Sequence, residues 1–100
     1  MREIKINWKE KDEIIQIKEL SWGDMEDVTN LATKIRTIAG TPEVNFDNKI
    51  YNLNLMIKSI TKAPFVVNSE NLRQLTNRDG KRILKEITEL NALTEDEKKE

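Results

Sequence analysis

The amino-acid sequence predicts an α+β fold, mostly helical, with an N-terminal β-hairpin over about residues 2–20 followed by four helices. Three observations carry that expectation. Apolar residues alternate near the N-terminus and recur at three- and four-residue spacing from Ser21 onward, and Pro42, Pro64 and isolated glycines fall between the periodic segments.

The hairpin is read from Ile4, Ile6 and Trp8, which alternate with Lys5, Asn7 and Lys9 as in a half-buried strand. A polar break at residues 9–12 leads into Ile14, Ile15 and Ile17, a short run rich in β-branched side chains, so the two runs pair antiparallel. A lone hairpin is marginal in water, and its Ile/Trp face must therefore lie on the helices or on a neighbouring chain.

Ser21 stands three positions before Asp24, a capping-box-like start for a first helix over 22–39. Its stripe is Met25, Val28, Leu31, Ala32, Ile35, Ile38 and Ala39, with Gly40 and Pro42 ending it. Phe46 and Asp47 serve as staple and N-cap for a central helix over 47–61, whose apolar arc runs from Ile50 and Leu53 to Ile57 and Ile60 and is widened by Tyr51, Leu55 and Met56. Proline at 64 stops it, because it disfavours helical geometry in the preceding residue and has no amide to donate.

Asn68 or Ser69 caps a short third helix over 69–76, with Leu72 and Leu75 inward. The fourth, over 78–91, carries Ile83, Leu84, Ile87 and Leu90. Residues 1–93 form one domain in this reading, and the apolar-poor residues 94–100 form a charged, flexible tail.

Composition narrows the function class. A chain of 100 residues can bury about 60–65% of its unfolded surface, enough for one modest core. Lys and Arg number 17 against 18 Asp and Glu, so a net charge of −1 gives no global attraction for DNA or an anionic membrane, and neither is expected as a partner. The sequence lacks cysteine and histidine, which removes disulfides, thiol nucleophiles, imidazole bases and the commonest zinc ligand. No apolar run reaches the ~20 residues of a membrane span, and the first residues lack the apolar core of a signal peptide, so a cytoplasmic location is expected.

Catalysis is not expected. The acidic neighbours Asp24, Glu26 and Asp27 fall at a helix start or on polar faces, whereas acid–base work needs a carboxylate held in a pocket. Gly23, Gly40 and Gly80 belong to no phosphate-binding loop, and no cofactor or metal site is expected. Arg73, Arg78, Lys81, Arg82 and Lys85 gather in a helix–turn–helix-like stretch, which keeps a small DNA-binding regulator as an alternative, although Asp79 stands where a phosphate would approach.

Trp8 and Trp22 flank the second strand, either as a packing pair that pins the hairpin or as a hot spot for a partner. Leu55, Met56, Phe65 and Val67 are apolar residues that a four-helix core of this length need not cover. The expected partner-contact residues are Trp22, Tyr51, Leu55, Met56 and Phe65, with self-association through the hairpin or the second helix.

The stretch 75–80 followed by Leu84, Ile87, Leu90 and Asn91, together with the hairpin leading into Leu20, Ser21, Trp22, Gly23 and Asp24, is similar to the small tail assembly chaperones of tailed phages and prophages. The resemblance covers most of the chain and rests on common residues. It implies a non-catalytic, oligomeric cytoplasmic protein, in the host cytoplasm if phage-encoded. Such a protein coats a long helical client, the tape measure protein, during tail morphogenesis. A structural tail or head–tail connector subunit is the further alternative that the same resemblance leaves open.

Overall fold

The computed structural model describes residues 1–92, and within them every side chain except that of Arg36. Among the described residues the order is β1 (Arg2–Trp8), β2 (Lys11–Ile17), α1 (Trp22–Ala32), β3 (Thr33–Ile38), β4 (Thr41–Phe46), α2 (Asn48–Ser59), β5 (Ile60–Lys62), α3 (Ser69–Leu72) and α4 (Asn77–Ala92). The fold is α+β, with two small antiparallel sheets, ordered β1-β2-β5 and β3-β4.

The N-terminal hairpin forms in the register that its alternation requires, with Ile4 opposite Ile15 and Arg2 opposite Ile17. Its turn residues Lys9 and Glu10 both have positive φ, 51° and 67°, which matches a tight two-residue loop to the twist of the strands. Ile4, Ile6, Ile15 and Ile17 are buried and share one contiguous core with Leu55 and Met56 of α2 and with Ile83 and Ile87 of α4. The architecture is thus a three-stranded sheet whose apolar face is covered by helices.

Polar side chains fasten the layers. Arg2 Nη1 donates to Glu86 Oε2 at 2.9 Å, tying β1 to α4. The Asn7 amide donates to Asp79 Oδ2 at 3.1 Å, so the buried Asp79 carboxylate is held at the first turn of α4. At the other end of α4, Asn91 Oδ1 accepts from the Leu20 amide at 2.8 Å while Asn91 Nδ2 donates to the Ile87 carbonyl at 2.8 Å. Asn91 therefore clips the segment between β2 and α1 onto the last turn of α4.

The caps fall where the sequence places them. Ser21 Oγ accepts from the Asp24 amide at 3.1 Å. Asp47 Oδ1 accepts from the amides of Lys49 and Ile50, at 3.0 and 3.1 Å, and the rings of Phe46 and Tyr51 meet at 5.3 Å, the staple across the start of α2. Asn68 caps α3 through the Asn71 amide, and α4 lies within one residue of its expected limits.

Three boundaries differ from the expectation. The helix expected over 22–39 ends at Ala32, and residues 33–46 form a second hairpin instead. Thr33, Ile35, Thr37 and Ile38 are β-branched, and branched side chains lose less rotamer freedom in a strand than against a helical turn. Ala39 and Gly40, with φ of 52° and 79°, supply the two-residue turn, so Gly40 is a turn residue rather than a helix stop. The helix expected over 47–61 ends at Ser59, where the backbone becomes extended and β5 joins the edge of β2, Ile60 opposite Ile17. The third helix ends at Leu72 rather than 76, continuing as turns. The tail expected over 94–100 lies outside the described residues.

Candidate functional site

The expected contact residues separate into three groups. Trp22 is 82% exposed at the start of α1, its indole N–H donating to Glu26 Oε1. Tyr51 and Phe65 are half-buried. Phe65 packs on Trp8 with ring centroids 4.4 Å apart, which makes Trp8, and not Trp22, the residue that pins the hairpin. Leu55 and Met56 are core residues, only 4% and 5% exposed, and not the surplus apolar surface expected of them. The apolar arc of α2 is wide because the helix meets α1, α4 and the sheet together, a larger interior than four helices alone provide. Val67, like Phe65, is half-buried against the core, so Leu55, Met56, Phe65 and Val67 do not form one exposed patch.

The apolar surface that the fold leaves open is instead on the β3–β4 arm. Directly opposed residues of an antiparallel pair project to the same side, and the register sets Ile35 opposite Val44, Thr37 opposite Pro42 and Thr33 opposite Phe46. Ile35, Val44 and Phe46 are 69%, 65% and 48% exposed, and Leu31, on the last turn of α1, is exposed beside the root of the arm. The reverse side carries Lys34 opposite Asn45 and Ile38 opposite Thr41. The arm is therefore amphipathic across its thickness. It is rooted by the Asp47 amide, which donates to the Ala32 carbonyl at 2.8 Å, and by Phe46 on Tyr51. The radius of gyration, 15.7 Å against about 13 Å for a compact domain of this length, fits a hairpin standing off the body.

A second open feature is a groove of about 460 Å³ between α2 and α4. Lys49, Asn52, Leu53 and Met56 line it from α2, and Asn77, Gly80, Lys81 and Leu84 line it from α4. Each set follows the i, i+3, i+4, i+7 spacing of one helix face. Leu72 and Leu75 complete an apolar lining, and Arg73 joins Lys49 and Lys81 as a charged group. Among the described residues no carboxylate lines the groove.

Four of the five basic residues gathered at 73–85 are divided between two surfaces. Arg73 and Lys81 line the groove, whereas Arg78 and Arg82 line a recess beside β1 that also holds Asp12 and Asp79. Arg82 Nη1 donates to the Lys5 carbonyl at 3.3 Å. Among the described residues no three acidic side chains cluster as metal ligands would, and no helix is long and apolar enough to cross a membrane. Comparison with protein-family models, curated proteins and solved structures finds no match to the chain.

Sequence reasoning missed Ile35, Val44 and Phe46 as an open face. The signal was present as alternation through 33–38 and 41–46 around Ala39 and Gly40. It was masked because Val28, Leu31, Ala32, Ile35 and Ile38 also satisfy a helical stripe.

Proposed function

We propose that this chain is a non-catalytic protein-holding factor of the phage tail assembly chaperone type, which binds a long helical client such as a tape measure protein and associates with copies of itself. The observation that supports the reading is the β3–β4 arm, whose Ile35, Val44 and Phe46 face remains open to water. A two-stranded ribbon is marginal alone, and apolar surface on an extended arm is stabilised when another protein covers it. The sequence similarity in the second half and at the hairpin-to-helix passage supplies the client class. A structural tail or connector subunit is the second reading, favoured by the same arm, since a projecting hairpin also suits a fixed contact between neighbouring subunits.

The test mixes the purified chain with the product of a long helical reading frame beside its gene and follows client solubility by sedimentation. The expected result is that wild type keeps the client in solution, while Ile35→Lys combined with Val44→Lys loses that ability and retains the thermal midpoint. Aggregation of the client with or without the chain, together with a fixed ring by light scattering, would overturn the chaperone reading in favour of a structural subunit. Salt-sensitive binding of mixed-sequence DNA that weakens on Arg78→Ala and Arg82→Ala would overturn both.

A further inference from the structure

We infer that the groove between α2 and α4 is a second docking site, distinct from the arm, and that its occupant is an amphipathic helix of a partner protein whose apolar stripe is flanked by acidic residues. The inference rests on the protein-holding reading above and adds the chemistry of what is held. Two helix faces of matching i, i+3, i+4, i+7 spacing bound the groove, each spanning about 10 Å of helix axis. Two helix faces with a furrow between them offer a surface onto which a third helix packs, and the length of each face accommodates roughly two turns of it.

The lining fixes the polarity of the occupant. Met56 and Leu72 are buried, and Leu53, Leu75 and Leu84 are half-buried, so the middle of the groove selects apolar side chains. Lys49, Arg73 and Lys81 are exposed around it and make no ion pair with a described residue. A chain of net charge −1 thus concentrates cations at one apolar furrow. Carboxylates beside the guest's apolar stripe complement them, whereas a phosphate backbone has no use for the leucines.

Gly80 is what keeps the α4 side of the groove open. A Cβ built there meets nothing within 4 Å, so a side chain at this position starts out in open space on the groove side of α4. Leucine is also a better helix former than glycine, and Gly80→Leu fills the groove while the fold is retained or strengthened.

The experiment titrates the full chain into a labelled synthetic peptide of about fourteen residues, with leucines at helical spacing and glutamates at both flanks, read by fluorescence anisotropy. A lysine-flanked peptide of the same leucine pattern is the control. The expected result is that the glutamate-flanked peptide binds roughly tenfold tighter than the control, and that the preference reverses with Arg73→Glu plus Lys81→Glu. Gly80→Leu is expected to weaken binding of the glutamate-flanked peptide by at least about tenfold, with an unchanged or higher thermal midpoint. Equal binding of the two peptides, insensitivity to Gly80→Leu, or displacement of the peptide by mixed-sequence duplex DNA would overturn the proposal. A wild-type dimer dissolved by Gly80→Leu would show that a second copy occupies the groove, and would overturn it as well. Client retention through Ile35 and Val44 is read separately, so failure of the groove proposal and failure of the protein-holding reading are distinguishable.

Discussion

Replacing Ile35 with alanine separates two ways in which residues 33–39 can fold, and the structure assigns the outcome a size. On the arm, Ile35 is 69% exposed, while Ile15 in the sheet is 0% exposed. Isoleucine to alanine removes three carbons, at about 0.8 kcal/mol for each when fully buried. At Ile15 the transfer loss is about 2.4 kcal/mol, and the cavity left among the close-packed core residues raises it to about 3–5 kcal/mol. At Ile35 about a third of the side chain is covered, so the transfer loss is about 0.8 kcal/mol, with a few tenths more for strand preference. Had α1 continued to residue 39, Ile35 would lie on the same stripe as buried Val28 and Ala32, and its truncation would cost what Ile15 costs. Urea unfolding followed by circular dichroism reads both variants on one scale, provided that the slope with denaturant is unchanged. A loss above about 2 kcal/mol for Ile35→Ala would refute the arm, since the transfer arithmetic leaves no source for it.

Two further substitutions test the joints of the fold. Changing Lys9 and Glu10 to Asn and Gly relieves two positive-φ residues and is expected to stabilise by about 1–2 kcal/mol, less about 0.5 for the lost Lys9 contact over the Trp8 ring. Thermal melting checks it, and a lower midpoint would contradict the turn assignment. Asn91→Ala leaves the Leu20 amide without its acceptor and is expected to cost about 1–2 kcal/mol. Denaturant unfolding together with faster amide exchange at Leu20 measures it, and a loss below about 0.5 kcal/mol would mean that water replaces the clip.

Local chemistry made much of the fold legible. Ser21, Asp47 and the pair Asn68 and Ser69 announced three helix starts because a short oxygen acceptor before a periodic run has few other uses, and Ser21, Asp47 and Asn68 accept from first-turn amides. The N-terminal hairpin was equally plain, because Ile4 and Ile6 stand among residues with no helical stripe to compete. The second hairpin was not, because Ile35 and Ile38 satisfy both periods and Ala39 is not the asparagine that usually marks such a turn. Only tertiary context decides between them. Strand β5 is three residues long and carries no alternation that a sequence could display. Of the expected contact residues, Trp22 is open to solvent, while Leu55 and Met56 were misplaced because the width of an apolar arc does not reveal how many neighbours share it. The groove escaped notice because it combines faces of two helices whose relative placement no local pattern encodes.

No slack separates the arm from the helices on either side of it. α1 runs into β3 without an intervening residue, and Asp47 alone stands between β4 and α2. A tilt of the ribbon therefore has only the backbone at the Ala32–Thr33 junction and at Asp47 in which to be taken up, and the first of these joints begins at a fully buried residue. A load on the ribbon's tip accordingly reaches those two joints before any other part of the body.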